Sequence, residues 1–380
     1  MDFSWSDDAQ DIRRAAEEFG LSLNGDLEER DRGGIFDRSL WNRCAEFGIL
    51  GMPIPKRYGG TAQELPAIVA ALDGLGYACH DNGLLFGLGA QLWSVQLPIL
   101  QLASEELRGR YLPGLADGSL IGAHAVTEPE AGSDAFSLRT TARADGDSYV
   151  LDGAKTFVTS APVADVFLVL ATLNPASGTS GLTAFLVDRD TPGLTVSGPF
   201  EKMGLRTSTM GEVVLAGCRV PEAQMLGGKG GGSAVFGVAM EWERTFILAP
   251  ALGTMRRQLE QCIRYARSRH QFGAPIAKRE PVAGKLVDMH LRLETSQLLA
   301  YRTAWLKQQG RRLTYEPSQV KLQLSESWVR TSEDALQLHG GSGYMVELGI
   351  ERDLRDALAS RIYSGTSEIQ RLIIAGFLGL

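Results

Sequence analysis

A chain of 380 residues exceeds what one hydrophobic core organises, so length predicts two or three packed domains able to bury a large ligand. Charged residues make up 22% and hydrophobic residues 44%, an ordinary globular composition that excludes disordered and collagen-like classes. A formal net charge of −7 argues against a nucleic-acid binder, which would carry a basic face or tail.

The opening residues Met1-Asp2-Phe3-Ser4-Trp5-Ser6-Asp7-Asp8 are acidic and lack the basic and apolar regions of a secretory signal. We read no uncharged apolar run as approaching the roughly 20 residues that span a bilayer, so a cytoplasmic protein without a membrane span is expected. From Ser6 to Gly20 the apolar positions Ile12, Ala15, Ala16 and Phe19 fall on one helical face behind an acidic first turn. Similar patterns over Leu40–Phe47, Ala62–Tyr77 and Ser104–Leu115, punctuated by Gly and Pro, make residues 1–120 a helical domain. Cys44, Cys79, Cys218 and Cys262 are far apart and form no CxxC pair, which points to reduced, buried thiols rather than disulfides or zinc.

After Leu120 the pattern changes to strands. Arg139–Ala144 and Ser148–Asp152 flank the turn pair Asp145-Gly146, and short apolar runs follow at Val166–Leu173, Leu182–Val187 and Glu212–Leu215. Residues 121–228 therefore read as a small β-barrel domain. The stretch Gly227-Gly228-Lys229-Gly230-Gly231-Gly232-Ser233 lacks the spacing of a phosphate loop and reads as a flexible link. Beyond it the helical period returns over about Ser233–Ser268, Glu280–Gln308, Pro317–Leu338 and Leu354–Phe377, a four-helix bundle spanning 229–380. The expected fold is mostly α with a central β domain.

Four separated segments carry a pattern in common. They are Ala125-Val126-Thr127-Glu128-Pro129-Glu130-Ala131-Gly132-Ser133-Asp134; Gly153-Ala154-Lys155-Thr156-Phe157-Val158-Thr159-Ser160; Arg267-Ser268-Arg269-His270-Gln271-Phe272-Gly273; and Tyr363-Ser364-Gly365-Thr366-Ser367-Glu368-Ile369-Gln370-Arg371. In this order and spacing they resemble the acyl-CoA dehydrogenase family over nearly the whole chain. The resemblance implies a helical, β-barrel and helical-bundle fold, bound FAD and a homotetramer. Its expected partners are an acyl thioester and an electron acceptor, either electron-transferring flavoprotein or oxygen.

Gly132 lets backbone approach a ligand, and Thr127 and Ser133 offer hydroxyls. The resemblance puts these three along the flavin, with Ser133 also facing substrate, and makes Phe157 and Thr159 flavin contacts, although the family more often has Trp where Phe157 stands. It makes Arg269, Gln271 and Phe272 an arm reaching the FAD of a neighbouring subunit, a guanidinium suiting a pyrophosphate. Gln337, Gly340 and Gly341 match another FAD-contacting stretch, and Thr366 and Glu368 the last. His339 reads as a packing residue.

Many members of the family carry the α-proton base, a glutamate, where Ser364 stands, and serine is far too weak a base to replace it. A second lineage places its glutamate in the first bundle helix, immediately before an arginine. Here that stretch is Met240-Glu241-Trp242-Glu243-Arg244, so Glu243 is the expected base and Arg244 lies near substrate. Apolar neighbours Trp242, Phe246 and Ile247 would desolvate the carboxylate and raise its pKa. This combination also resembles the branch that oxidises aminoacyl or acyl groups on carrier proteins, such as prolyl-carrier-protein dehydrogenases, and the sequence leaves CoA and carrier-protein thioesters both open. A flavin monooxygenase on the same fold, or a non-catalytic FAD-binding member, are the remaining readings.

Overall fold

The computed structural model describes residues 5–380, so residues 1–4 of the acidic opening segment lie outside the described residues. The first helix, Asp7–Leu21, starts where Ser6 Oγ accepts the Ala9 N–H, with Asp7 and Asp8 facing the positive end of the helix. It lies against Leu65–Ala78, which in turn crosses the long helix Ala249–Ser268 of the C-terminal part. That crossing is a glycine contact. A Cβ on Gly76 would sit 1.8 Å from the Pro250 carbonyl oxygen and one on Gly253 1.9 Å from that of Asp73, so any larger residue would push the two helices apart.

One expectation is corrected here. Asn82–Leu102 is a continuous uncharged helix of 21 residues, long and apolar enough to cross a membrane, with 89% of its most apolar stretch buried inside the protein. It has no amphipathic stripe because it is surrounded, which is why periodicity missed it. Gln91 is matched at both ends of its amide, Nε2 donating to the Leu115 carbonyl at 2.9 Å and Oε1 accepting the Gly122 N–H at 2.8 Å, while Gln96 Nε2 donates to the same carbonyl at 2.7 Å and its Oε1 has no partner among the described residues.

The central domain is one eight-stranded sheet. In spatial order it runs Leu194–Val196, Met210–Pro221, Ser148–Thr159, Thr141–Asp145, Val166–Thr172, Leu182–Asp188 and Met225–Leu226, with Gly122–Ala125 pairing parallel to Val166–Thr172. The expected hairpin forms, with its turn one residue later than expected: Asp145 pairs with Ser148, and Gly146-Asp147 make the turn with Gly146 at φ 66°. Ser148–Thr159 is bulged twice against Met210–Pro221, and the second bulge spans the residues between Lys155 and Val158.

Two long C-terminal helices expected from periodicity are each broken. Pro250 has no N–H for a continuing ladder, so Gly232–Phe246 ends and Ala249–Ser268 restarts with Pro250 in its first turn. Ile350–Ala359 and Ser367–Phe377 are separated by Ser364 and Gly365, at φ 57° and 89°, left-handed conformations that no helix accommodates. The glycine-rich link is a packed turn rather than a loose one. Gly230 N donates to Thr183 Oγ1 at 3.0 Å, and a Cβ on Gly232 would meet the Leu182 carbonyl carbon at 2.6 Å.

One hydrophobic cluster runs through all three parts, joining Trp41 and Leu72 to Phe167 and Phe185 and to Trp242, Leu252 and Val320. The four cysteines are free and buried.

Candidate active site

Two of the sequence segments are stapled together on the sheet. Thr156 N donates to the Thr127 carbonyl at 2.8 Å, and Lys155 Nζ reaches both the Val126 carbonyl at 3.1 Å and Glu128 Oε1 at 2.7 Å. Both ion-pair partners are buried. Glu128 also accepts the backbone N–H groups of Arg139 and Thr140, and the lysine and these amides hold its carboxyl below the usual range against the opposing effect of burial. The ammonium of Lys155 is pushed down to about 8, chiefly by burial.

From this base the chain presents the residues expected to contact a flavin. Glu128 and Ala131 bond each other through their backbones across Pro129-Glu130, leaving Gly132 and Ser133 exposed just beyond the turn. Phe157 sits in the second bulge at φ 54°, an uncommon conformation for an aromatic residue, and is 62% exposed. Thr159 follows on the same strand, half-buried. An aromatic ring held out from a strained bulge beside open backbone fits the face and edge of a flavin.

At the far end of the bundle, Arg269 to Phe272 enter a hairpin in which His270–Gln271 pairs with Ala274–Pro275. Phe272 and Gly273 make the turn at φ 52° and 77°, and Phe272 is 92% exposed. Arg279 Nη2 braces it through the carbonyls of Gln271 and Phe272. Gln337 closes Glu316–His339, and Gly340 and Gly341 follow with open space where side chains would be. His339 stacks on Tyr265 with ring centroids 4.3 Å apart, which joins these two ends and makes it a packing residue.

Glu243 lies on Gly232–Phe246, the helix of the bundle that faces Asn82–Leu102. It is 8% exposed. Ser94 Oγ donates to its Oε2 and Ser364 Oγ to its Oε1, each at 2.5 Å. Burial lifts the carboxyl above the usual range, opposed by these two hydroxyls and by the charges of Arg244 and Lys321. Glu241, two residues earlier, is instead ion-paired to Lys307.

Arg244 Nε donates to the Ser364 carbonyl at 3.1 Å. Gln370 Nε2 donates to the carbonyls of Ser364 and Gly365, and Lys321 Nζ to that of Gly365 at 2.7 Å. Thr366 caps the next helix through the Ile369 N–H, and Glu368 is exposed in its first turn. Among the described residues the Ser364 N–H has no acceptor. Sequence reasoning missed Ser94 and Lys321. Lys321 sits at a helical core position where an apolar residue is usual, and that was its only signal.

Family models match three successive stretches: residues 6–119 the N-terminal domain of acyl-CoA dehydrogenases, 123–218 the middle domain and 230–379 the C-terminal domain. The chain belongs to the acyl-CoA dehydrogenase family. It is an FAD-dependent oxidoreductase with that family's helical, sheet and helical architecture. An L-prolyl peptidyl-carrier-protein dehydrogenase of Pseudomonas fluorescens is 43% identical over 352 residues, 91% of each chain. The prolyl acyl carrier protein oxidase AnaB is 48% identical, with a TM-score of 0.98 over 99% of this chain and 100% of that one. PigA, solved with FAD and proline, is 37% identical, with a TM-score of 0.97 over all of both chains.

Proposed function

We propose that this acyl-CoA dehydrogenase family member desaturates the α,β bond of an aminoacyl group, prolyl in the first instance, held as a thioester on a carrier protein. The observation that carries the chemistry is the buried carboxylate of Glu243, positioned by two serine hydroxyls and raised by desolvation toward the working range of a base. The prolyl choice is supported by the likeness to AnaB and PigA.

Glu243 takes the α proton. FAD, when bound, supplies the acceptor for the hydride from the β carbon. Negative charge growing on the thioester oxygen is met by the Ser364 N–H, which the left-handed turn holds and the Arg244, Gln370 and Lys321 bonds to adjacent carbonyls keep in place. Arg244 thus serves the substrate through this turn. Thr127, Gly132, Ser133, Phe157 and Thr159 line the flavin on the sheet side, with Thr366 and Glu368 at the helix start that follows Gly365.

The assembly we propose is a homotetramer. Phe272 stands outside its own subunit on a rigid hairpin, and Leu291, Leu298 and Trp305 form an exposed stripe seven residues apart along Glu280–Gln308. Arg269, Gln271 and Phe272 would reach a neighbour's FAD, with Gln337, Gly340 and Gly341 beside them. Arg269→Ala should weaken FAD retention by about 2–3 kcal/mol, the size of a charge-assisted bond. Equilibrium dialysis of FAD measures it, and unchanged affinity would remove the arm from the cofactor site.

The cytoplasm is the proposed location, with electrons passing to electron-transferring flavoprotein or oxygen. Anaerobic mixing tests the substrate. Prolyl-carrier protein should bleach the oxidised flavin faster than prolyl-CoA or short acyl-CoA thioesters, and bleaching by acyl-CoA alone would overturn the carrier assignment. A monooxygenase would keep its flavin oxidised with any of these thioesters.

A further inference from the structure

Each oxygen of the Glu243 carboxylate holds one serine hydroxyl, and the two serines come from opposite ends of the chain. We propose that Ser94 and Ser364 are positioning residues, a two-sided clamp that fixes the plane of the Glu243 carboxylate and keeps it ionised where water is excluded. This rests on Glu243 being the base.

The Ser94 side of the clamp is built by a break in helix geometry. Within Asn82–Leu102, residues Leu92–Gln96 form a π turn closed by the Leu97 N–H on the Leu92 carbonyl. Pro98 has no N–H for the carbonyl of Ser94 four residues back, and its ring would collide with that carbonyl in a straight α-helix. The wide turn relieves the collision. Trp93 then stacks on Trp242 with an interplanar angle of 3° and packs on Phe246, holding the π turn against the helix that carries Glu243.

Ser364 is fixed from behind. Its carbonyl accepts from Arg244 and Gln370, and that of Gly365 from Gln370 and Lys321, so three side chains grip a two-residue turn. A carboxylate has about four lone-pair sites, so two remain for a substrate proton when each oxygen accepts one hydroxyl. A glutamate at 364 would instead set a second carboxylate against the first, and like charges this close cannot both ionise. Serine at 364 and glutamate at 243 are therefore a matched pair, and the serine does more than vacate the other family position.

The titratable and charged groups facing Glu243 are Arg244 on its own helix, Lys321 on Glu316–His339 and Tyr363 on the turn. Arg244 and Lys321 favour the ionised form. Burial holds the phenol of Tyr363 neutral and the Lys321 ammonium at about 7. The hydroxyl donors stabilise the charged carboxylate, so removing one raises its pKa and moves the acid limb of the reaction to higher pH.

Infrared difference spectra against Glu243→Gln read the carboxyl titration in FAD-loaded protein without substrate. Ser94→Ala and Ser364→Ala should each raise its midpoint by about one to two pH units. The acid limb of anaerobic flavin reduction should follow, with the loss recovered as pH rises. An unmoved midpoint with an equal rate loss at every pH would make both serines merely structural and overturn the clamp. A Glu243→Gln protein as fast as the parent would instead overturn the base assignment. The serine at 364 is partly exposed, so that variant carries the test if the buried Ser94→Ala fails to fold.

Discussion

Glu243→Gln is expected to slow flavin reduction by a true substrate about 10²–10⁴-fold, the usual cost of removing a general base, with FAD content and fold retained. The amide keeps the size of the carboxyl and can still accept a serine hydroxyl, so the two clamping bonds need not both be lost. What disappears is basicity. Glu241→Gln should have a far smaller effect, because Glu241 is paired to Lys307 and points to another helix face. Anaerobic stopped-flow of the two variants decides between them. A Glu243→Gln rate within a few fold of the parent would send the proton elsewhere.

Glu243 could be singled out because Met240-Glu241-Trp242-Glu243-Arg244 resembles the stretch where a second lineage keeps its glutamate, and apolar Trp242, Phe246 and Ile247 pointed to the burial that the structure gives it. Its partner Ser94 could not. Ser94 lies in an uncharged run with no amphipathic period, and its direction depends on a π turn that a search for 3.6-residue repeats averages away. The same blindness produced the missed helix Asn82–Leu102: a helix apolar on every side has no face to detect.

Helix breaks were legible only in part. Pro250 announces one, yet the periodic residues on either side suggested a single helix. Ser364 takes a positive φ with Gly365, and that pair of left-handed residues turns the chain back so that a hydroxyl 121 positions away meets Glu243. Local propensity does not predict a left-handed serine; tertiary contacts impose it, here through Arg244, Gln370 and Lys321. The hairpin after Thr141–Asp145 was readable to within one residue for the opposite reason, since the glycine its tight turn needs, Gly146, is written locally.

The second large effect is expected at Lys155→Met, a change that keeps length and apolar stem but removes the ammonium. Lys155 and Glu128 are both buried, so the variant leaves a carboxylate with two backbone amides and no counter-charge. Breaking a buried pair from one side typically costs about 3–5 kcal/mol. The penalty belongs to the stranded charge rather than to the lost bond. Glu128→Gln in the same chain should therefore restore much of the stability, because an amide needs no counter-ion. Urea unfolding of the FAD-loaded single and double variants measures this. Function should suffer in parallel, since the pair ties Val126 to the strand that carries Phe157 and holds the Thr127–Thr156 contact closed. FAD affinity should fall in Lys155→Met and recover only in part in the double variant, which still lacks the Lys155–Val126 bond. A single variant destabilised by less than about 1 kcal/mol, the range of an exposed pair, would mean that water or a neighbour neutralises Glu128, and that the segments carrying Thr127 and Phe157 are held together by their backbone bond alone.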